Sequence, residues 1–497
     1  MPYLMLEGHL QPPANAPSSQ LVRRLLSAAH PMAFCCALFC ARFVARKPGG
    51  IGHLATIAVA LLAAVTFATR LASAEGVPPP VELPQQLSLP QALQYLRTRS
   101  LDLLISEAAV ENAEGDVKVA GAVPNPAVTI GYGRLFGYNP DQVCQSAGFT
   151  GCSADTYQAG ISDQAAIEDS LSGKRDLRLR VAHAALKAAK LSRSDALRTI
   201  EFQVKSAYVQ VVEAQRALAF SKEVQATNVK TLELFQIKLK SGSINEGDLA
   251  RIETQKLEAD QAVDSETQAL QQARFALAFL LGVRGPAPEF SVEDAVLDFS
   301  VPSSLASPEG DRLLRAAFDH RPDLLAQGFQ ASSAEAAISL ARRQRFPDIA
   351  VGATYSQTGT GNAAVSPPSI FFTLSAPLPV FYQQQGEIRK AEANYDTQSL
   401  QHAKLTAQVV SDVAAAMASF QASRLLVERM EKTLKPSAER AFSITRVQYD
   451  KSAATLMDLL DAQRTYIATN VEYLQDLANY WTAVFQLEEA VGMELRQ

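Results

Sequence analysis

The sequence predicts a mixed, mainly α-helical fold in which a unit of helix, two strands and two long helices occurs twice. Three observations predict it. The order of hydrophobic patterns after residue 86 is repeated, each half places two alternating strand patterns before long heptad patterns, and a Pro/Gly-rich segment separates the halves. The first repeat spans 75–282, the linker 283–307 and the second repeat 308–497.

Composition and charge narrow the class of protein. The chain has 497 residues, of which 47% are hydrophobic and 20% charged, and this balance is typical of a folded protein. The net charge is -5, and no run of lysine or arginine lies beside aromatic residues. Nucleic acid is therefore not an expected partner.

The N-terminal region 1–74 has the pattern of a cleaved signal peptide. Basic residues precede an apolar run from Leu54 to Phe67, and Ala72-Ser73-Ala74 then forms a small-x-small cleavage site. A membrane anchor is the alternative, but the run is shorter than the ~20 residues that a spanning helix needs. No cysteine directly follows the expected cut, so a lipid anchor is not expected. The mature chain is expected to be exported.

Two cysteines remain after this cut, Cys144 and Cys152. They lie in a loop rich in glycine, serine and asparagine, and this fits one local disulfide in an exported chain. A metal-binding pair is the alternative, but no histidine is near them in the sequence.

Four strands are predicted, at about 127–136 and 156–167 in the first repeat and about 348–357 and 370–379 in the second. Each has one apolar or aromatic face and one small or polar face, as in Val128, Ile130 and Tyr132. A half-buried soluble sheet and a membrane barrel with a wet lumen both require this pattern. Because four strands cannot enclose a pore, the membrane interpretation needs several chains, and three would give about 12 strands.

Long helical hairpins follow the strands, at about 172–282 and about 386–492. The stretch from Ser172 to Ser241 contains no proline, and as one helix it would reach ~100 Å. Apolar residues recur every 3.5 residues in both hairpins, as in a coiled coil. The seam residues are Leu197, Val204, Val211 and Leu218 in the first hairpin and Val413, Phe420, Val427 and Leu434 in the second. A soluble helical bundle would show the same heptads, but the strand pairs favour a tube with a membrane end.

Duplicated motifs carry a resemblance to a known family. They are Pro124-Asn125-Pro126 with Phe346-Pro347-Asp348, Gly173 with Gly386, and Gly242-x5-Asp248-Leu249 with Tyr449-x8-Asp458-Leu459-Leu460-Asp461-Ala462-Gln463. In order and spacing the sequence resembles the TolC family of outer-membrane efflux channels over essentially the whole mature chain. VPNPAVTI with LSGKRDLRLRVAHAAL is most similar to the CzcC-like branch, which serves heavy-metal resistance-nodulation-division pumps.

The resemblance implies a homotrimer. It would form a barrel of about 12 strands in outer-membrane lipid, continued by a periplasmic tunnel of about 12 helices. A periplasmic adaptor and an inner-membrane pump of the resistance-nodulation-division type would dock at its lower end. The chain would be a passive exit duct without cofactor or bound metal, with metal cations as cargo and organic compounds as the alternative cargo.

Two other classes of protein were weighed. A periplasmic adaptor also carries a coiled-coil hairpin, but normally one hairpin beside lipoyl-like half-motifs rather than two hairpins on strand pairs. An enzyme has no support, since the sequence lacks GxxxxGK[ST], HExxH and GxSxG motifs. His183, His320 and His402 are isolated and are interpreted as surface or packing residues.

Within this family resemblance, Asp458 and Asp461 match the acids at the periplasmic aperture. Three chains would place six carboxylates around one axis, where like charges raise one another's pKa and attract cations. The structural alternative is that Asp458 only stabilises a helix start and Asp461 is only solvated.

Asp248 and Tyr449 match the pair that locks the gate, in which a tyrosine hydroxyl hydrogen-bonds an acid of the other hairpin. The family's locking arginine is replaced by Ala454, and Lys451 is a possible substitute.

The hairpin tips and adaptor contacts match Gly242 and Ser452. The family has glycine at both positions, so the serine leaves the turn geometry of the second tip open.

Overall fold

The computed structural model describes residues 83–134, 136, 155–285, 289–306, 309–358 and 366–495. The expected signal peptide 1–74 and the expected disulfide of Cys144 and Cys152 lie outside the described residues.

The same order of helices and strands occurs twice along the chain. The first half contains β1 (Gln86–Leu87), α1 (Leu89–Arg99), α2 (Leu101–Gly121), β2 (Ala127–Arg134), β3 (Asp155–Ser162), α3 (Ala166–Leu171), α4 (Lys174–Lys240) and α5 (Glu246–Leu280). The second half contains β4 (Ser291–Val292), α6 (Gly310–His320), α7 (Pro322–Arg343), β5 (Ala350–Thr358), β6 (Ser366–Ser375), α8 (Gln385–Arg429), a π-helical turn (Met430–Leu434), α9 (Lys435–Asp450) and α10 (Leu456–Val491).

The strand pairs of the two halves join in one antiparallel sheet of order β2-β3-β5-β6. The central pairing runs from Thr156 opposite Thr358 to Ser162 opposite Gly352, so it connects the two repeats. Strand β6 begins at Ser366, earlier than the sequence indicates, although prolines follow at once. An edge strand tolerates proline because one side of its backbone needs no partner in the sheet.

The two faces of this sheet differ in chemistry. Apolar and aromatic side chains share one face because the registers align their alternation across the strands. Ile130 is 80% exposed and Phe372 is 86% exposed in the single chain. The other face carries mainly threonine, glycine and serine, as at Thr129, Gly160 and Thr354. A contiguous exposed apolar face indicates a surface that another molecule or a membrane covers.

Helix α4 is a single rod of 67 residues. Its predicted seam is buried at Val204 and Val211, and that of α8 at Val413 and Phe420. Across the described part of the chain, no helix combines the length and apolar character needed to span a membrane.

The core joins both repeats and the segment between them. Tyr208 on α4 donates its hydroxyl hydrogen bond to the Leu87 carbonyl at 2.9 Å, and Tyr480 on α10 donates to the Ser300 carbonyl at 2.9 Å. Burial raises the pKa of both tyrosines to about 12. In the predicted linker 283–307, β4 pairs in parallel with β1, so the described part of this segment is packed against the core.

The predicted seam is wrong at one residue, Leu434, whose side chain is 44% exposed. It ends the π-helical turn, where the Lys435 amide donates to the Met430 carbonyl five residues back. Pro436 follows and has no N–H for the regular bond to Lys432. The wider turn therefore shifts the heptad by a residue and rotates Leu434 out of the seam.

Candidate functional site

The two hairpin tips have the same backbone geometry. Gly242 has φ +71° and Ser452 has φ +57°, so both adopt the left-handed conformation that ends a helix. The closing bonds also correspond: Ser243 N–H donates to Lys238 O at 2.9 Å and Ala453 N–H to Gln448 O at 2.7 Å. Ser452 therefore has the same turn geometry as Gly242, a point that the sequence alone did not settle.

The helix after each tip begins with a side-chain cap. Asn245 accepts a hydrogen bond from the Asp248 amide at 2.8 Å, at the start of α5. At the start of α10, the Thr455 hydroxyl accepts from the Asp458 amide at 3.2 Å. The Asp458 carboxylate in turn accepts from the Thr455 amide at 2.9 Å, which completes a capping box. The sequence duplication is thus a duplication of structure.

Asp458 and Asp461 are exposed on α10. They follow Leu456 by two and five residues, which places them ~200° and ~140° around the helix from it. Leu456 and Leu460 are buried, so the acids lie on the opposite side of α10. Although they are adjacent to leucines in the sequence, they do not share the apolar face.

The Asp458 carboxylate also accepts a hydrogen bond from the Thr455 hydroxyl at 2.7 Å. This bond, with the one from the Thr455 amide, lowers the pKa of Asp458 below its ordinary value. Asp458 is therefore an ionised capping residue at neutral pH, and it presents its charge at the tip. Asp458 therefore stabilises the start of α10, as the structural alternative expected. This capping role is compatible with a role in a pore.

Tyr449 lies in a cluster that fastens the second hairpin to the first. Its ring stacks on Phe235 of α4, with centroids 6.3 Å apart and planes 7° apart. The Lys238 ammonium lies 5.3 Å from the Phe235 centroid and 5.4 Å from the Tyr449 centroid. Burial, and then the charge of Asp248, raises the pKa of Tyr449. Sequence reasoning missed Phe235 and Lys238, although their spacing places both on one helix face.

Asp248 forms an ion pair with Arg251 at 3.4 Å. Among the described residues, no hydrogen bond joins it to the Tyr449 hydroxyl, so the two are near each other without the expected direct bond. Lys451 is exposed and has no ion pair in the same part of the chain. The locking role of Asp248 and Tyr449 stays a prediction.

The buried contact between the hairpins at this level is apolar. Phe235 and Ile252 of the first hairpin pack with Leu456 and Leu460 of α10. A buried polar bond follows further along α10, where the Gln463 amide donates to the Asn228 side chain at 2.9 Å. Asn228 is buried on α4. The tip is therefore held by stacking, apolar packing and one buried amide contact.

Metal-ligating side chains are not clustered in the described ranges, where no three of histidine, cysteine, aspartate and glutamate could hold an ion together. The tip acids are accordingly considered as charges facing solvent.

Comparison with known proteins decides the family. The family described as outer membrane efflux protein matches residues 92–283 and 313–493, one segment in each half of the chain. The chain belongs to this family. It is a family of passive efflux channels rather than enzymes, and the membership confirms the resemblance drawn from the duplicated motifs.

Individual relatives are distant but cover most of the chain. The cobalt-zinc-cadmium resistance protein CzcC of Cupriavidus metallidurans is 23% identical over 415 residues, which is 83% of this chain and 92% of that protein. The pyoverdine export outer membrane protein OpmQ of Pseudomonas aeruginosa is 25% identical over 398 residues, 76% of this chain and 80% of that protein.

A solved structure shows the same fold. The open state of the MtrE outer membrane channel of Neisseria gonorrhoeae superposes with a TM-score of 0.66 at 19% identity, covering 86% of this chain and 97% of that one. The predicted fold of two helix-strand-strand-helix units is thereby confirmed.

Proposed function

We propose that this outer membrane efflux protein is the passive exit duct of a tripartite system. Three copies form the duct, a periplasmic adaptor contacts the tips at Gly242 and Ser452, and an inner-membrane pump of the resistance-nodulation-division type delivers the cargo. The observation that carries the proposal is the mounting of two long hairpins on one sheet whose apolar face is exposed. Such a chain has a membrane end and an aqueous end.

The sheet itself supports a trimer. Its edge strands β2 and β6 each have one side unpaired among the described residues. Pairing β2 of one copy with β6 of the next would satisfy both edges, and three copies give about 12 strands. The threonine- and glycine-rich face would then line a wet lumen while the apolar face contacts lipid.

The tips would form the periplasmic gate of this duct. Asp458 and Asp461 are exposed on the side of α10 that its own hairpin contacts do not occupy. A threefold axis beside this side would gather six carboxylates, which favours passage of cations. Tyr449 and Asp248 would hold the gate shut as a locking pair. Tyr449 is positioned by its stacking on Phe235, and burial, with the charge of Asp248, raises the pKa of Tyr449 and so keeps its hydroxyl protonated as a donor.

Metal cations are the proposed cargo. The relative named for cobalt, zinc and cadmium resistance supports this, as does a tip that presents carboxylates. Organic compounds are the second candidate, favoured by the relative named for pyoverdine export.

Deleting the gene and measuring growth on divalent metals against a panel of drugs and dyes tests the cargo. We expect the deletion strain to grow poorly on one or more metals, and the wild-type gene on a plasmid to restore its growth. Sensitivity to organic compounds alone would overturn metal export and leave the duct. Fractionation of the tagged protein to the periplasm in soluble form would overturn the duct and favour an adaptor.

A further inference from the structure

A cavity of about 230 Å³ lies between the two hairpins, further along α10 than the tip cluster. Its walls come from α4 and α5 of the first hairpin and from α10 of the second. It is larger than a dry cavity of about 150 Å³ that can bind benzene in another protein. The space is sufficient for one aromatic ring with a substituent.

The side walls of the cavity are apolar. They are formed by Val224 of α4, Ala259 and Ala262 of α5, and Ile467 of α10, with Phe220 at one end. The Phe220 ring meets Tyr466 edge to face, with centroids 6.2 Å apart, so its position is fixed by packing. Walls of this kind favour a flat hydrophobic molecule over a flexible polar one.

Two buried polar side chains on the cavity wall lack hydrogen-bond partners within the described residues. Ser221 is 8% exposed and Gln255 is 7% exposed as whole residues, and neither the serine hydroxyl nor the glutamine amide bonds to protein there. Neither polar group is fully enclosed by the described residues. The neighbouring Asn228 differs, since it accepts from Gln463 and donates to the Gln255 backbone carbonyl at 3.5 Å. Because these polar atoms are open to the cavity, each can hydrogen-bond to water or to a ligand that occupies it.

The charge at the rim is balanced. Glu258 of α5 and Arg464 of α10 also line the cavity and lie 3.7 Å apart, with both side chains more than half exposed. Each ion therefore has a partner of opposite sign in solvent. A charged ligand would gain little here, so an uncharged one is favoured.

We propose that this cavity binds a small uncharged aromatic molecule carrying one hydrogen-bonding group, of the phenol class. The ring packs against Val224, Ala259 and Ile467, and the substituent hydrogen-bonds to Gln255 and Ser221. The site is separate from the acids of the tip and from the conducting path proposed above.

Occupation of the site has a consequence for the gate, and this part rests on the proposed function. The ligand contacts the first hairpin and α10 together, and α10 carries Asp458 and Asp461. Moving α10 away from α4 and α5 would break the ligand contacts. A bound ring therefore stabilises the present arrangement of the tips and opposes their separation.

Saturation-transfer NMR on the full mature chain in lipid nanodiscs, with phenol and toluene as probes, tests the binding. We expect saturable phenol binding to wild type. Ala262→Phe should abolish it, because the larger side chain fills the cavity from its exposed wall. Ala269→Phe is the matched control on an exposed position of α5 that does not line the cavity, and it should bind as wild type. Gln255→Leu should weaken phenol binding roughly 5-fold, which corresponds to the loss of about one hydrogen bond. The same variant should bind toluene at least as well as wild type does.

Phenol binding that is equal in wild type and Ala262→Phe, or no saturable binding in wild type, would overturn the proposal and leave a hydrated cavity. Bilayer recordings separate the gate from the site, since bound phenol should lower the open probability in wild type and not in Ala262→Phe. Specific binding without an effect on conductance would overturn the consequence for the gate. A chain that conducts nothing but still binds phenol would instead contradict the proposed duct.

Discussion

Ser452 and Gly242 occupy equivalent positions in the two hairpin tips and share a positive φ, +57° for the serine and +71° for the glycine. A residue with a side chain is strained in this conformation by about 1–2 kcal/mol, whereas glycine is not. The second tip therefore contains backbone strain that the first lacks. Since no atom lies within 4 Å of a Cβ added to Gly242, the difference comes from the backbone and not from crowding.

Ser452→Gly should stabilise the second tip by about 1 kcal/mol, and Gly242→Ser should destabilise the first by a similar amount. Hydrogen exchange of the tip peptides measures this, with slower exchange expected around Ser452 and faster exchange around Gly242. Ser243→Gly is the control, since Ser243 does not have a positive φ. Unchanged exchange in both variants would contradict the strain.

Replacing Asp458 and Asp461 together by asparagine should weaken cation selectivity and block by multivalent cations, with assembly intact. Asparagine removes the charges and keeps an oxygen that can accept the capping bond from Thr455. The measurement is reversal potential and cation block in bilayer recordings, beside the double alanine variant. Asp264→Asn serves as control, because this exposed acid lies on α5 away from the tip. If the double variant kept full selectivity, the acids would not line the pore.

The cap of α10 should weaken in acid. The pKa of Asp458 is lowered because its carboxylate accepts from Thr455, so its contribution to stability is present above the ordinary aspartate pKa of about 3.9. It is lost as pH falls through the lowered pKa of the folded state. Protection factors at the start of α10 should therefore drop below about pH 4 in wild type and depend less on pH in Thr455→Val.

The first tip provides an internal control for this prediction. Its cap is the Asn245 amide, which does not titrate, so the Asp248 amide should keep its protection over the same range. Equal loss of protection at both tips would indicate general acid unfolding instead of the titration of one cap.

The buried ion pair of Lys205 and Glu488 should be costly to break from one side. Their charged atoms are 2.8 Å apart, and the side chains are 8% and 5% exposed. Lys205→Met should destabilise by about 3 kcal/mol because it leaves a buried carboxylate without its cation. Combining it with Glu488→Gln should recover more than half of this loss, because the remaining group is neutral and can still accept from the Leu495 amide.

Denaturant unfolding of the purified protein in detergent gives these free energies. Lys230→Met, at an exposed position of the same helix, should change stability by less than about 0.5 kcal/mol. A double variant as unstable as Lys205→Met would show that the lost pair, and not the stranded charge, sets the energy.

Much of the fold follows from local periodicity. The alternation at Val128, Ile130 and Tyr132 is a property of neighbouring residues, and so is the heptad at Val204 and Val211, so both are readable from the sequence. The start of β6 is not, because its prolines are tolerated only at an edge, and the edge is set by which strands pair. The exposure of Leu434 was missed for a related reason, since Pro436 acts through the turn before it.

The sequence likewise predicts only part of the candidate site. The equivalence of the two tips was predicted from the spacing of their residues, and the gate role of Asp458 and Asp461 from the family resemblance. The stacking of Tyr449 on Phe235 joins residues more than 200 positions apart, and no local pattern predicts it. The cavity wall at Gln255 depends on three helices meeting, so no local pattern in the sequence predicts it.

The π-helical turn at Met430–Leu434 makes the two hairpins mechanically unequal. The helix that leads to the first tip, α4, is a single unbroken helix of 67 residues. The corresponding arm of the second hairpin is two shorter rods, α8 and α9, meeting where Pro436 removes a hydrogen bond. A force applied at both tips is therefore expected to bend the second hairpin first, at its π-helical turn. This is the hairpin that carries the acids.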